Sequence, residues 1–160
     1  MANFDKAIKF IIENEGGYND NPNDPGGATK YGISLRYLKS LGTYGDFDGD
    51  GDVDADDIRL MSKKEADDIY KKFWWDSFGY GLIEDQEIGT KLFDFSINMG
   101  SSRSHKIIQE SINLLPKHGN EYLKVDGILG IKTIDAINSS DPDRLILALM
   151  GVSASFYIKL

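Results

Sequence analysis

Apolar residues recur at spacings of three and four along most of this chain, and this periodicity is the feature that most constrains its fold. Residues 4–12 are the first example, because five of their apolar residues form one stripe: Phe4, Ala7, Ile8, Ile11 and Ile12. Gly16 and Gly17 then end the pattern. No segment shows the clean alternation that is typical of a half-buried strand. The sequence therefore predicts a mainly α fold, with a small irregular or β-hairpin region within residues 18–33.

Local capping residues predict where several helices begin. Ser34 precedes a short helix, and Ser62 with Glu65 three residues later forms a capping box. Asp141 followed by Pro142 is a strong start for the last helix, which is expected to run to the end of the chain.

Composition excludes several classes of partner. The chain has 160 residues, of which 41% are apolar and 28% charged, as in a compact globular protein with a sizeable core. Its formal net charge of -8, without a stripe of Lys and Arg, argues against nucleic acid as a partner. There is no cysteine, and His105 and His118 do not have the spacing of zinc ligands. No organic cofactor is implied, and a monomer is expected.

Targeting signals are not apparent in the sequence. The N-terminal segment carries charged residues among its apolar ones, so no signal peptide is predicted. The longest apolar stretch, near residues 145–152, is too short to span a membrane, so no membrane insertion is expected. A chain made in the cytoplasm that acts on an extracellular substrate would need release or a dedicated export route.

Glu15 is the acid whose helical position is unusual. It follows Phe4 by eleven residues, which at about 100° per residue places it about 20° from Phe4, inside the apolar stripe. Loss of hydration and the negative end of the helix dipole both favour its protonated form. A neutral carboxylic acid near pH 7 can act as the general acid that cleaves a glycosidic bond. The alternative is a frayed helix end, at which Glu15 is solvated normally.

The loop after Glu15 supplies further polar groups at short range, namely Asp20, Asp24 and Thr29. An inverting glycosidase needs a base opposite its acid, with room for a water molecule between them. Asp24 and Thr29 are the preferred candidates to hold that water, and Asp20 is the alternative partner of Glu15. Asp24 precedes a proline, so it could instead be a turn residue that bonds its own backbone.

Residues 15–34, EGGYNDNPNDPGGATKYGIS, resemble the signature segment of the muramidases of glycoside hydrolase family 108. Residues 93–100, FDFSINMG, and 125–133, VDGILGIKT, resemble the predicted peptidoglycan-binding half that accompanies it in that family. The resemblance implies a lysozyme-like helical fold and assigns Glu15 as the general acid. A similar order of glutamate, aspartate and threonine in phage-type lysozymes implies that Asp24 and Thr29 orient the attacking water.

The resemblance also implies a reaction and a domain organisation. The reaction is hydrolysis of the β-1,4 bond between N-acetylmuramic acid and N-acetylglucosamine in peptidoglycan, by an enzyme of the phage endolysin type. The chain would divide into a catalytic segment, residues 1–83, and a peptidoglycan-binding-like half, residues 84–160. The family's older label of secretion activator keeps a non-catalytic, peptidoglycan-binding or secretion-associated role as one alternative. A lytic transglycosylase, which forms an anhydro sugar, is the other.

Aromatic rings are the expected contacts for the apolar faces of sugar rings. The candidates in this chain are Tyr18, Tyr31, Trp74, Trp75 and Tyr80. Of the two adjacent indoles, either one lines a groove while the other packs inside, or both belong to the core, as most aromatic residues at helical spacing do. Asn98 ends an apolar segment, and it is interpreted either as a further substrate contact or as a helix cap.

Residues 46–57, DFDGDGDVDADD, match the pattern of a calcium-binding loop and are here called the aspartate loop. The predicted metal ligands are Asp46, Asp48, Asp50, the main chain of Asp52, Asp54 and Asp57. Asp57 replaces the usual glutamate at the last position, and its shorter side chain leaves Mg2+ as an alternative to Ca2+. The expected role is a structural clip, because the preceding helix ends too early for a full helix-loop-helix. A solvated acidic loop without an ion is the other interpretation.

Overall fold

The computed structural model describes residues 1–12, 17–19, 26–116 and 122–157. Its backbone forms two compact units. We call residues 8–71 the hairpin unit, and residues 1–7 together with 72–160 the helical unit. The chain passes from one compact unit to the other at residues 7–8 and 71–72. The boundary predicted after residue 83 separates functions, not compact units, and it stays a prediction.

The hairpin unit contains a two-stranded sheet and short helices. In chain order the elements are α1 (Phe4–Ile12), which begins in the helical unit, β1 (Thr29–Lys30), β2 (Ile33–Ser34), α2 (Leu35–Ser40), α3 (Ala55–Leu60) and α4 (Lys63–Tyr70). A 3-10 turn, Gly42–Gly45, leads from α2 to the aspartate loop. The core of this unit is apolar. Its completely buried side chains include Ile33, Leu38, Ile58, Met61 and Ile69.

Two helices of the hairpin unit begin where local side chains satisfy free backbone N–H groups. Tyr37 N donates to Ser34 Oγ at 3.3 Å before α2. Ser62 and Glu65 form the predicted reciprocal capping box before α4, with bonds of 3.2 and 2.6 Å. Both predicted helix starts are therefore confirmed.

The helical unit contains α5 (Gln86–Met99), α6 (Ser101–Leu114), α7 (Ile131–Asn138) and α8 (Pro142–Tyr157). Gly100 separates α5 from α6, and its φ of 88° lets the chain turn directly from one helix into the next. α8 begins at Pro142 as predicted, where Arg144 N donates to Asp141 Oδ1 at 3.0 Å. α6 packs against both α5 and α8.

An aromatic cluster forms the centre of the helical unit. The ring centroid of Trp75 lies 5.3 Å from that of Phe93 and 5.7 Å from that of Phe4, both edge-on. Tyr80 lies 6.0 Å from Trp75 and from Phe93. Its hydroxyl meets His105 Nε2 at 2.9 Å. The cluster thus joins the segment before α5 to both α5 and α6.

The loop before α7, residues 125–130, is held by the buried side chain of Gln109. Gln109 Nε2 donates to Asp126 Oδ1 and to Ile128 O, both at 3.0 Å. Gln109 Oε1 accepts from Gly127 N at 2.9 Å. Because both ends of this buried amide are satisfied, its hydrogen bonds define the conformation of the loop.

The predicted fold class, mainly α with a small hairpin, is confirmed. The hairpin ends one residue beyond the predicted range, at Ser34. The sequence patterns do not predict α3, because the aspartates that cap it, Asp54 and Asp57, are assigned there to the aspartate loop. After α4, the chain continues as a π-helix, Lys71–Asp76. Among the helices of the described ranges, none combines the length and the apolar character that crossing a bilayer requires.

Candidate active site

Of the predicted catalytic residues, Thr29 alone lies within the described part of the chain. Glu15, Asp24 and the alternative partner Asp20 lie outside the described residues. Their assignments as acid and as water-orienting base therefore stay predictions. The structure does describe the residues on either side, 17–19 and 26–34.

The two sides of this loop are joined at Asn19 and Thr29. Asn19 N donates to Thr29 O and Thr29 N to Asn19 O, both at 2.8 Å, so the two residues form an antiparallel bridge. Thr29 is half-buried, and its Oγ1 donates to Gly27 O at 3.4 Å. On the other side, Leu35 N of α2 donates to Ala28 O at 2.8 Å. The backbone around Thr29 is thus anchored both to the start of the loop and to a helix.

Tyr31 lies at the tip of the hairpin between β1 and β2. Its φ of 51° is followed by a φ of 79° at Gly32, the two positive values that a type I′ turn requires. A positive φ is unfavourable for a residue with a Cβ. The turn is held by Tyr70, whose hydroxyl donates to Tyr31 O at 3.0 Å. Lys30 Nζ lies 5.5 Å from the centroid of the Tyr31 ring, which is half-buried.

Tyr18, the tyrosine of the EGGY motif, is 40% exposed and is held by Arg59 of α3. Arg59 Nε donates to its hydroxyl at 3.1 Å, and the guanidinium carbon lies 5.6 Å from its ring centroid. Arg59 also pairs with Asp56, and its carbonyl oxygen accepts from Lys30 Nζ. Sequence reasoning missed Arg59 and offers no signal for it, because 41 residues separate it from Tyr18.

The other predicted aromatic contacts belong to the helical unit and differ in burial. Trp75 is 4% exposed and packs in the aromatic cluster, so it is the indole of the pair that lies inside. Trp74 is half-buried. Tyr80 is completely buried against His105, so the prediction that it lines a groove is wrong. Its burial also raises the pKa of its hydroxyl.

Asn98 is exposed near the end of α5 and bonds within its own helix. Its Nδ2 donates to Asp94 O at 3.0 Å and to Asp94 Oδ1 at 2.8 Å. Burial raises the pKa of the Asp94 carboxyl, and the hydrogen bond from Asn98 opposes that shift. Bonding to the carbonyl four residues back is typical of a short polar side chain within a helix. A substrate contact by Asn98 stays a prediction.

The aspartate loop folds through hydrogen bonds from its backbone to its own carboxylates. Asp46 accepts from Gly49 N at 2.7 Å and from Gly51 N at 3.1 Å. Gly51 has a φ of 99°, as the sharp turn of a calcium-type loop requires. The carboxylates form two groups of three. Within each group, one oxygen from each carboxylate lies within 4.8 Å of the others. The groups are Asp46, Asp48 and Asp50, and Asp52, Asp54 and Asp57. Such clusters of hard oxygen donors suit Ca2+ or Mg2+.

Asp57 is the buried anchor of the aspartate loop, with 1% of its surface exposed. One of its oxygens accepts from Phe47 N at 2.6 Å and from Asp48 N at 3.3 Å, and the other accepts from Asp54 N at 2.7 Å. Burial disfavours its charge, but these backbone bonds outweigh burial and lower the pKa of Asp57. At exposed Asp52, repulsion from neighbouring aspartates raises the pKa instead. The loop therefore combines one stabilised carboxylate with others that repel one another.

The signature segment and the elements around it match a known family. The sequence profile described as Glycosyl hydrolase 108 matches residues 8–100, which is more than half of the chain. The chain belongs to glycosyl hydrolase family 108. The matched range includes the whole signature segment, residues 15–34, and the aspartate loop. Membership makes the chain a glycoside hydrolase and supports peptidoglycan as its class of substrate.

The structure of this family 108 protein is also similar to that of Brucella abortus SagA. The likeness has a TM-score of 0.74 and a sequence identity of 29%, and it covers 98% of this chain and 80% of that chain. No curated protein sequence matches the chain significantly. The family suggested by the signature segment is therefore confirmed by both sequence and fold.

Proposed function

We propose that this family 108 hydrolase is a muramidase, which cleaves the β-1,4 bond between N-acetylmuramic acid and N-acetylglucosamine of peptidoglycan. Glu15 protonates the leaving oxygen, and Asp24 with Thr29 orients the attacking water. The family match over the signature segment supports the glycosidase chemistry. The structural observation that carries the proposal is the antiparallel bridge at the base of the loop.

This bridge supports the assigned roles because it closes the loop that carries the polar groups. Asn19 follows Glu15 by four residues, and Asp24 lies midway between Asn19 and Thr29 in the sequence. The paired backbone bonds keep Thr29 beside the chain that leads back to Glu15. A hydroxyl that is positioned before the substrate binds reduces the entropic cost of orienting a water molecule.

In the proposed reaction, Glu15 gives its proton to the glycosidic oxygen as the bond from that oxygen to the anomeric carbon breaks. The oxygen of the water bonds to the anomeric carbon, and one water proton passes to Asp24. Thr29 Oγ1 holds the water by a hydrogen bond. The products are a reducing N-acetylmuramic acid and an N-acetylglucosamine with a free hydroxyl.

We expect Tyr18 and Tyr31 to contact the sugar rings. Both belong to the signature segment, and each ring lies beside a cation, Arg59 or Lys30. An aromatic ring that is held before binding loses little conformational entropy when a sugar stacks on it. In the helical unit, the half-buried Trp74 and the exposed Asn98 stay proposed contacts, whereas Trp75 would act through packing.

Product analysis on purified sacculi tests the proposal. The wild-type protein should release fragments with reducing N-acetylmuramic acid ends, and Glu15→Gln should release none, because an amide cannot donate the acid proton. Asp24→Asn should lower the rate by about 100-fold or more, since it removes the base. Thr29→Val should lower it by about tenfold, as expected for one hydrogen bond to the water. Unchanged melting temperatures would show that the variants are folded.

Several outcomes would change the assignment. Retained activity of Glu15→Gln would reject Glu15 as the acid, and an inactive Asp20→Asn beside an active Asp24→Asn would move the base to Asp20. Anhydro ends would identify a lytic transglycosylase, and binding without release would identify a non-catalytic protein. The first anomer formed distinguishes inversion from retention, and inversion is what a water-orienting Asp24 requires.

We further propose that the aspartate loop holds one structural divalent cation, Ca2+ in preference to Mg2+. The match to the calcium-loop pattern supports this, together with the oxygens that Asp46, Asp48 and Asp50 offer close to one another. Asp57 already accepts three backbone bonds, which leaves about one lone-pair direction for an ion. Monodentate ligation by Asp57 would suit a structural ion, which would also relieve repulsion at Asp52.

A further inference from the structure

α3 contacts both sides of the signature segment through one residue, Arg59. Arg59 Nε donates to the Tyr18 hydroxyl at 3.1 Å, and the guanidinium carbon lies 5.6 Å from the centroid of that ring. Its carbonyl oxygen accepts from Lys30 Nζ, next to Thr29 on β1. Tyr18 precedes the bridge residue Asn19, and Lys30 follows its partner Thr29. Arg59 therefore contacts both chain segments at the base of the loop.

The helix that carries Arg59 is firmly held within the hairpin unit. Asp54 and Asp57 form a reciprocal capping box at its start. Ile58, the residue before Arg59, is completely buried, and so is the C-cap residue Met61. The guanidinium is further oriented by its ion pair with Asp56. Arg59 therefore reaches Tyr18 from a defined backbone position.

We propose that Arg59 is a positioning residue for glycan binding: it orients Tyr18 and thereby shapes one sugar-binding surface of the signature segment. The inference rests on the proposed function of that segment. Tyr18 is 40% exposed, and the bond from Arg59 restricts the rotamers that its ring can adopt. Arg59 affects the binding of the substrate, which precedes the chemical step. Its loss should weaken substrate binding and leave proton transfer from Glu15 unchanged.

Kinetics on soluble, uncrosslinked glycan strands test this role with Arg59→Ala, Tyr18→Phe and the double variant. Arg59→Ala should raise KM by about three- to tenfold, the range that one exposed charge-assisted hydrogen bond supplies. Its kcat should stay within about twofold of wild type, because the transition-state contacts of Glu15 are intact. Lys64→Ala removes another exposed cation that pairs with an aspartate, Asp68, and this matched control should leave both constants unchanged.

The double variant distinguishes positioning from a direct effect of the Arg59 charge. Tyr18→Phe removes the hydroxyl that Arg59 holds but keeps the contact between the guanidinium and the ring, so adding Arg59→Ala to it should raise KM by less than it does in the wild-type background. Effects on KM that simply multiply would overturn the proposal, and so would a fall in kcat at constant KM. Arg59→Lys keeps the charge without the planar fork. Wild-type behaviour of Arg59→Lys would attribute the effect to charge and would also overturn the proposal.

Binding to sacculi in the Glu15→Gln background separates this test from that of the hydrolase activity, because cosedimentation needs no bond cleavage. Arg59→Ala should weaken this binding by about three- to tenfold. If Arg59→Ala binds more weakly but the wild type does not hydrolyse the glycan, the muramidase proposal is rejected and the role of Arg59 in binding is supported. Unchanged binding and KM, with an active wild type, would reject the role of Arg59 and leave the muramidase proposal standing.

Discussion

The buried carboxylate of Asp57 allows a quantitative test of how the hairpin unit is held together. Its oxygens accept from Phe47 N, Asp48 N and Asp54 N at 2.6, 3.3 and 2.7 Å. Asparagine keeps only one acceptor oxygen, so in either orientation its NH2 group faces at least one of these donors. A buried N–H without an acceptor costs about 1–3 kcal/mol, and loss of the charge weakens the remaining bonds by about 1 kcal/mol.

Asp57→Asn should therefore lower the free energy of unfolding by about 2–4 kcal/mol. For a chain of 160 residues, this corresponds to a decrease in Tm of roughly 5–12 °C. Thermal unfolding followed by circular dichroism in EDTA measures the effect without a contribution from a bound cation. The pKa of Asp57 is lowered in the folded protein from its usual value of 3.8. The ionised carboxylate therefore stabilises the fold above pH 3.8, and this contribution is lost as the pH falls below that value. The difference between wild type and variant should shrink in the same range.

Asp52→Asn is the matched control for this prediction. It makes the same chemical change in the same loop, at an exposed carboxylate whose pKa is raised by repulsion from its neighbours. Neutralising Asp52 should leave Tm unchanged or raise it slightly. Equal Tm values for Asp57→Asn and Asp52→Asn at pH 7 would refute the reasoning.

Three further measurements concern the ion, the hairpin turn and a buried histidine. Adding EDTA to the Ca2+-loaded protein should lower Tm, and an unchanged Tm would reject the structural ion. Tyr31→Asn should raise the free energy of unfolding by up to about 1 kcal/mol, because asparagine tolerates a φ of 51° better; a lower Tm would contradict this. Burial lowers the pKa of His105 below 6.5, although a hydrogen bond with Gly127 O opposes the shift. The preference of the fold for neutral His105 stabilises it fully above pH 6.5. This contribution is lost as the pH falls from 6.5 towards the pKa of the folded state, so Tm should decrease over that range. An NMR titration that gave His105 a pKa at or above 6.5 would exclude this explanation.

Helix starts in this chain can be predicted from the sequence because the bonds that cap them are local. Ser34, Ser62 and Asp141 each accept a backbone N–H group three residues later. α3 also begins at a local capping box, but its two aspartates, Asp54 and Asp57, belong to the aspartate loop, where the sequence pattern predicts metal ligands instead of a helix start. It is stabilised by the buried carboxylate of Asp57, which reaches back to Phe47 across the loop.

In the candidate site, too, the sequence predicts some features and the tertiary structure decides others. The order of residue types in the signature segment is specific enough to identify the family, which the profile match confirms. Trp74 and Trp75 are adjacent and chemically identical, so the sequence could not say which one lies inside. Packing against Phe4 and Phe93 decides that it is Trp75. The burial of Tyr80 depends in the same way on a partner, His105, that is distant in the sequence.

By itself, the amino-acid sequence determined the mainly helical class, the starts of several helices and the family, because each of these depends on patterns within short segments. Only the tertiary structure decided where the chain divides into compact units, which aromatic rings are covered, and that Arg59 holds Tyr18. These features depend on contacts between residues that are remote along the chain, and local propensity carries no information about such contacts.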